Sequence, residues 1–166
     1  MKATGIVRRI DDLGRVVVPK EIRRTLRIKE SDPLEIFTDR DGKIILKKYS
    51  PIGELGDFAK EYAQSLAQVS GYTVCIADHD QIIAASGKRA KEYAGRLIDE
   101  ELETVILNRK TVKLAKKEAV RLTQNDAGGY QSQVISVITS LGDCVGAVII
   151  FSENGERSEE HTSELQ

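Results

Sequence analysis

A short turn-forming stretch, Ser50-Pro51-Ile52-Gly53, divides this 166-residue chain into two segments of opposite charge. Residues 1–50 carry 13 Lys and Arg against 8 Asp and Glu, whereas residues 51–166 carry 12 against 18. The formal net charge of −1 is therefore an average over a basic segment of +5 and an acidic segment of −6. This asymmetry predicts two modules, of which the first suits an anionic partner.

The basic module is predicted to fold in the order β-β-α-β-β. Runs of β-branched residues indicate strands, Pro19 suits the first turn of a helix, and glycines close to aspartates indicate turns. Within the helix, Ile22 and Leu26 are four residues apart and are expected to face inward. The predicted elements are the strands Thr4–Arg9 and Arg15–Val18 about a turn at Asp11–Gly14, a helix over Lys20–Leu26, and the strands Leu34–Thr38 and Lys43–Tyr49 about a turn at Asp39–Gly42.

The basic module is too small to be comfortably stable as a monomer. A segment of 50 residues buries little apolar surface, and this one has no cysteine for a disulfide. Val16, Val17 and Val18 place apolar side chains on both faces of their predicted strand, so one face needs cover from outside the hairpin. We therefore expect a homodimer whose two chains interleave.

The second module is predicted to be α+β, a sheet with helices packed on it. Apolar residues at helical spacing predict a long helix over Glu54–Ser70 that ends at Gly71. Because Cys144–Phe151 is apolar almost throughout, it should be a central strand covered on both faces. The other predicted elements are the strands Tyr72–Asp78, Gln81–Ser86 and Val134–Ile138 and a helix over Asp99–Arg109, while Val112–Thr123 fits no single element.

The last ten residues, 157–166, are unlike everything before them and resemble the read-through translation of a widely used sequencing adapter. We expect this tail to be non-native, so that the native part stops near Glu156 and a closing helix is absent. A natural polar tail is the alternative.

Five arginines are the candidate binding residues of the basic module: Arg8, Arg9, Arg15, Arg23 and Arg24. A guanidinium group donates two parallel hydrogen bonds from a planar fork, which suits phosphate oxygens and guanine edges. A two-fold dimer would present the set twice and match two half-sites on DNA. The alternative is a solvated face whose charges pair with acidic neighbours, and residue content alone leaves both interpretations open. Those neighbours are Asp11, Asp12 and Glu21.

A long ordered pattern runs through residues 1–50, in the segments Thr4–Arg8, Asp12–Pro19, Glu21–Leu26, Leu34–Ile36 and Gly42–Tyr49. The pattern resembles the AbrB-like family of swapped-hairpin DNA-binding regulators. This resemblance implies a swapped-hairpin barrel, formed by an intertwined dimer, that binds double-stranded DNA. Matched residue by residue, the implied DNA contacts are Arg8, Arg15, Arg23 and Arg24, with Arg9 as a weaker match.

The resemblance extends through residues 51–156 to sporulation regulators whose second module is a GAF-like sensor domain. A domain of this kind implies binding of an unidentified small-molecule effector, or assembly of dimers into tetramers. The helix at Glu54–Ser70 would connect the modules and pack against another subunit, or it would cover its own sheet. Both interpretations stay open.

The sequence predicts no enzyme, with no catalytic residue, cofactor or metal site. Cys75, His79 and Cys144 lack paired ligand spacing, and both cysteines lie in apolar strands, which favours reduced thiols in a core. Asp78-His79-Asp80 lies at an expected turn without a nucleophile motif. No apolar run approaches the roughly 20 residues that span a bilayer, so neither a membrane protein nor a membrane partner is expected.

We therefore predict a cytoplasmic, nucleoid-associated transcription regulator, an activator or repressor, that binds DNA through residues 1–50. Residues 51–53 are the predicted linker, and 54–156 are the predicted regulatory domain. The alternative is an antitoxin-like protein, whose related barrel binds DNA while its tail inhibits a toxin. Such tails are typically disordered, whereas residues 54–152 have helix and strand periodicity.

Overall fold

The computed structural model describes residues 5–153, and the chain divides into two compact units between Tyr49 and Ser50. Within the described residues, the first unit has one helix and a two-stranded sheet, and the second has two α-helices and a five-stranded sheet. The tail at 157–166, predicted to be non-native, lies outside the described residues.

The first unit is built on a helix, α1 (Lys20–Thr25), and an antiparallel hairpin of β1 (Leu34–Thr38) and β2 (Ile44–Lys48). The hairpin turn forms where it was predicted. The Asp39 carboxylate organises it by accepting the backbone N–H groups of Asp41 at 3.0 Å and Lys43 at 2.9 Å. This is the local hydrogen bonding that makes aspartate favourable in turns.

The prediction of strands at Thr4–Arg9 and Arg15–Val18 is wrong for this structure, because residues 5–19 contain a turn and no strand. The observed order is α-β-β instead of β-β-α-β-β. A lone pair of strands is marginal in water unless a further strand or helix covers one face. Nothing between residues 5 and 49 gives this cover, and Val17 is 69% exposed. Leu26, expected to face inward, follows α1 and is also exposed.

The second unit is a sheet-rich α+β domain, as expected in outline. Its strands are all antiparallel and lie in the order β4-β3-β7-β6-β5, so β7 is the central strand, which confirms the prediction for that apolar run. The elements are α2 (Gly56–Ser70), β3 (Thr73–Ala77), β4 (Ile82–Ser86), α3 (Glu100–Leu107), β5 (Val112–Ala115), β6 (Tyr130–Ser140) and β7 (Asp143–Glu153).

Local signals set the ends of both long helices. A short 3-10 turn, Gly53–Leu55, leads into α2, and Gly71 ends it in the left-handed conformation at φ 75°. At α3, the Asp99 side chain accepts the backbone N–H of Glu101 at 3.0 Å, which satisfies one of the free donors of the first turn. The ambiguous segment after α3 contains β5 and the 3-10 turn Lys116–Glu118.

Each face of the large sheet carries its own core. On one face, α2 contributes the alanines Ala59, Ala63 and Ala67 against β3 and β4. On the other, α3 and the connecting segments pack on a larger cluster that contains Tyr93, Tyr130 and Phe151. Packing of β7 against β3 is close: a Cβ at Gly146 would lie 2.1 Å from the Ala77 carbonyl oxygen.

Candidate nucleic-acid interface

The turn at residues 11–15 is organised by one carboxylate. Asp11 accepts the backbone N–H groups of Leu13 at 2.9 Å and Arg15 at 2.8 Å, and it accepts the Arg15 side-chain Nε–H at 2.8 Å. The Asp11 N–H donates to the Arg15 carbonyl, and Gly14 closes the turn at φ 77°. The backbone N–H of Arg15, followed by its guanidinium group, lowers the pKa of Asp11 below its ordinary value.

Arg15 keeps most of its binding capacity in this arrangement. Its side chain is 70% exposed, and the ion pair with Asp11 uses Nε at 2.8 Å. A guanidinium group has five N–H donors, and this bond to Asp11 uses one of them. The alternative interpretation was an arginine whose charge pairs with an acidic neighbour. The ion pair with Asp11 exists, but it leaves most of the Arg15 side chain exposed.

Arg23 and Arg24 lie in the last turn of α1 and are exposed. The helix begins after Pro19, whose carbonyl accepts the Arg23 N–H at 3.0 Å. Consecutive residues of an α-helix point about 100° apart, so the two guanidinium groups leave the helix in different directions. They can reach separate oxygens of an extended anion.

Arg8 and Arg9 lie in the segment before the turn and are also exposed. The five candidate arginines therefore occupy three places: residues 5–10, the turn at 11–15, and α1. All five are exposed, as expected for a binding role. The three places follow one another along the chain between residues 5 and 25.

Apolar side chains are exposed throughout the same unit. No residue between 5 and 49 is buried, although every large apolar type is present except Met and Trp. The exposed apolar residues are Ile6, Val7, Ile10, Leu13, Val16, Val17, Leu26, Ile36, Phe37, Ile44, Ile45, Leu46 and Tyr49. Such a large apolar surface on a small unit indicates an association surface.

The sequence analysis missed a polar cluster inside the second unit. The Arg89 guanidinium lies 5.5 to 5.7 Å from the ring centroids of Tyr93, Tyr130 and Phe151. It also donates to the Gly128 carbonyl at 2.8 Å and to the Glu92 carboxylate at 2.9 Å. No local motif predicts this cluster, because the fold brings its members together from three separate segments.

Hydrogen bonds extend the cluster to a half-buried acid. The Tyr93 and Tyr130 hydroxyls are 2.8 Å apart, and the Tyr130 hydroxyl donates to the Asp126 carboxylate. Burial raises the pKa of both tyrosines, while the bond to Glu92 raises the pKa of Arg89. Burial also raises the pKa of the nearby Cys75 thiol to about 12, so this cysteine is an unreactive part of the core.

The second unit has an open groove of about 680 Å³ on its surface. It is lined by Glu61, Gln64, Ser65, Ala67 and Gln68 of α2 and by Ser86 and Gly87. Between residues 5 and 153, no group of three or more His, Cys, Asp and Glu side chains is placed to hold a metal ion. The same residues contain no helix long and apolar enough to cross a membrane.

Each of the two units matches a known protein family. The family described as "Stage V sporulation protein T C-terminal, transcription factor" matches residues 54–165. That match runs into the segment 157–166, whose non-native origin stays a prediction. The family "Antidote-toxin recognition MazE, bacterial antitoxin" matches residues 7–54.

Relatives from Bacillus subtilis (strain 168) match the whole chain or its first part. Stage V sporulation protein T is 56% identical over 154 residues, which are 93% of this chain and 86% of that protein. Transition state regulatory protein AbrB is 69% identical over 51 residues, 31% of this chain and 52% of that protein. A solution structure of the N-terminal DNA recognition domain of AbrB shares 67% identity, with 31% of this chain covered, 94% of that one, and a TM-score of 0.26.

A basic unit similar in sequence to the transition state regulatory protein AbrB, followed by an α+β unit that matches a transcription-factor family, defines a transcription regulator. The family that matches the second unit is described as a transcription factor. With 56% identity across nearly all of both chains, the protein belongs to the stage V sporulation protein T family of sporulation transcription factors.

Proposed function

We propose that the protein regulates sporulation genes in the cytoplasm, at the nucleoid, by binding double-stranded DNA as an interleaved dimer. Residues 1–50 form the DNA-binding domain, a swapped-hairpin barrel made by two chains. Residues 51–53 connect it to the second unit, in whose core Ile52 is buried. Residues 54–156 form a GAF-like regulatory domain that responds to a small-molecule effector or joins dimers into tetramers. The observation that carries the proposal is a basic unit without a single buried residue between 5 and 49.

An interleaved dimer would explain why the apolar side chains of the first unit are exposed in a single chain. Val7, Val17 and Ile36 are each more than two-thirds exposed in one chain, on segments outside any helix. A second copy would give residues 5–10 and 15–18 partner strands for their backbone and cover for their side chains. The two predicted strands that the single chain lacks would then form between chains.

The arginines supply the DNA contacts. Arg8, Arg15, Arg23 and Arg24 are exposed, with Arg9 as a weaker candidate, and two copies would double the set. Contacts to phosphate fix position and affinity, while bidentate contacts to guanine edges and the deformability of the DNA give sequence preference. Because phosphate contacts release counterions, binding should weaken steeply as salt concentration rises.

The long helix α2 supports assembly through the second unit. Its alanines cover its own sheet, whereas larger apolar residues at intervals of three or four stay exposed and form one stripe. The stripe consists of Phe58, Tyr62, Leu66 and Val69 of α2, continued by Leu55 of the preceding 3-10 turn. A second copy of the same helix is the partner we propose, so the two interpretations of this helix apply to different faces.

The test is the salt dependence of DNA binding by the full chain. We expect Arg23→Ala to leave the dimer folded, to weaken binding, and to lower the slope of log affinity against log salt by about 1 for each phosphate that the variant no longer binds. The probe is a duplex selected by the wild-type protein from a random-sequence library. Arg40→Ala, which removes an exposed arginine from the hairpin turn of the same unit, is the matched control.

Unchanged affinity and slope in a folded Arg23→Ala protein would overturn the assignment of this residue. A wild-type protein that selects no duplex from the library would overturn the proposed function itself.

An antitoxin is the second candidate, and the match of residues 7–54 to the MazE family favours it. That match covers the unit the two classes share. The difference lies in the remainder of the chain, where α2, α3 and the five-stranded sheet form a packed domain instead of an extended tail. The transcription regulator is therefore the better-supported function.

A further inference from the structure

The second unit is acidic in sum, but one short segment of it is strongly basic. Residues 109–121 contain six Lys and Arg and one acid, whereas the rest of 51–156 contains five Lys and Arg and fourteen Asp and Glu. We call this set the basic strip; it consists of Arg109, Lys110, Lys113, Lys116, Lys117 and Arg121. Charge is thus segregated within the unit as well as between the units.

Every side chain of the basic strip is exposed. In the part of the chain that the structure describes, none of its four lysines takes part in an ion pair. The acid of the segment, Glu118, turns back to the Ala115 N–H at 3.5 Å. Arg109 donates to the Gly142 carbonyl at 2.8 Å, which orients it without neutralising its charge.

The backbone that carries the basic strip is held in place. Strand β5 pairs with β6, with Lys113 opposite Val134, and alternation turns Val112 and Leu114 to the core while Lys113 faces out. Further along, the Gln133 side chain bonds both the N–H and the carbonyl of Val120 at 2.8 Å. The backbone that carries these lysines is therefore held in place by strand pairing and by the Gln133 hydrogen bonds.

Protection of a sheet edge explains only a small part of this charge. Because β5 is the last strand of the sheet, a lysine on it hinders pairing with other chains. That role accounts for Lys113. It does not account for Lys116, Lys117 and Arg121, which follow the strand, and solubility needs no extra cations in a unit that is already strongly charged.

We propose that the basic strip binds the phosphate backbone of duplex DNA, as a second contact beyond the one made by the first unit. This inference rests on the proposed function. Lysine offers a flexible point charge without the planar fork of arginine, so the strip adds affinity and salt dependence and little sequence preference. We therefore expect the contribution of the strip to depend on the length of the duplex.

The test compares two duplexes and two variants of the full chain. One duplex is about 20 base pairs, or two helical turns, and the other is about 60 base pairs with the same central sequence. The first variant carries Lys→Gln at 110, 113, 116 and 117. The matched control removes the same charge from exposed positions elsewhere in the unit, as Lys60→Gln, Lys88→Gln, Lys91→Gln and Arg96→Gln.

We expect the strip variant to lose at least about tenfold in affinity for the long duplex at low salt, with the salt slope smaller by about 2 to 4. Its affinity for the short duplex should change little, and the control should behave as wild type with both.

Equal loss in the strip variant and the control, or no loss with the long duplex, would overturn the second contact while leaving the proposed function intact. So would a smaller oligomer of the strip variant by light scattering, since the strip would then bind the acidic surface of another copy. Failure of the wild-type protein to bind either duplex would instead overturn the proposed function.

Discussion

The two units of this protein place their apolar residues in opposite ways. Every buried apolar residue of the described chain lies between Ile52 and Phe151, and none lies between residues 5 and 49. The first unit is nevertheless rich in valine, isoleucine and leucine. The comparison teaches that one unit completes its core within a single chain, whereas the other has the residues of a core and lacks the second surface to close it.

Phe151→Ala should have the largest effect, and only in the second unit. Phe151 is 1% exposed and contacts the rings of Tyr93 and Tyr130 at centroid distances of 5.2 and 4.9 Å. Removing such a ring lowers the free energy of unfolding by about 3 to 5 kcal/mol. Hydrogen exchange read by mass spectrometry in the full chain should show reduced protection in 73–153 and unchanged protection in 34–48.

An equal reduction of protection in both ranges would show that the two units unfold together. That result would break the comparison, because the stability of the first unit would then depend on the core of the second.

A leucine substitution in each unit tests the missing surface directly. Leu46 is 40% exposed in one chain and Leu107 is 59% exposed. If a second chain covers the first unit, Leu46→Ala should cost about 2 to 5 kcal/mol, as a buried leucine does, while Leu107→Ala should cost under about 0.5 kcal/mol. The measurement is the denaturation midpoint of each unit, read from β1 and β2 for the first and from α3 for the second, over a hundredfold dilution.

The midpoint of the first unit should fall on dilution, because unfolding of a dimer depends on concentration. Equal, small costs for both substitutions and a midpoint independent of dilution would mean that the first unit is a stable monomer.

The smallest expected effect is a difference between two carboxylates that lie beside arginines, in how their pKa values respond when the arginine is replaced. Asp11 and Glu92 both have lowered pKa values, but a backbone N–H contributes most at Asp11 and the Arg89 side chain contributes most at Glu92. Arg15→Lys should therefore leave the Asp11 pKa low, and Arg89→Lys should return the Glu92 pKa toward its ordinary 4.5. Carboxyl carbon shifts titrated by NMR between about pH 6 and pH 2 measure both.

The sign of the stability effect follows from the direction of these shifts. A carboxylate whose folded pKa is lowered contributes its full stabilisation above the ordinary value, and loses it as pH falls through the lowered folded value. An Asp11 pKa that rises as much as that of Glu92 in the paired variants would contradict the difference between the two sites.

Local signals predicted the parts of the fold that depend on neighbours in sequence. The turn at Asp39–Gly42 follows from aspartate and glycine chemistry, and the central place of β7 follows from its apolar run. The strands expected at Thr4–Arg9 and Arg15–Val18 do not form in the described part of the single chain, since strand formation depends on a pairing partner that periodicity does not reveal. The composition of residues 1–50 predicts a partner chain, and this stays a prediction.

The candidate sites divide in the same way. Exposure of Arg8, Arg15 and Arg23 could be predicted from charge and position. The Arg89 cluster could not, because Tyr93 and Tyr130 are 37 residues apart and meet only when the large sheet has formed. A long-range arrangement of polar groups leaves no periodic trace in the sequence.

The close packing at Gly146 limits which amino-acid substitutions this protein can accept during evolution. No side chain fits between the β7 backbone and the carbonyl of Ala77, whatever its chemistry, while Gly142 in the preceding turn has open space around it. The backbone of the neighbouring strand therefore excludes any substitution at position 146 for steric reasons, independently of a role in binding. Among sequence variants of this protein, glycine at 146 is a marker that β3 and β7 still pair.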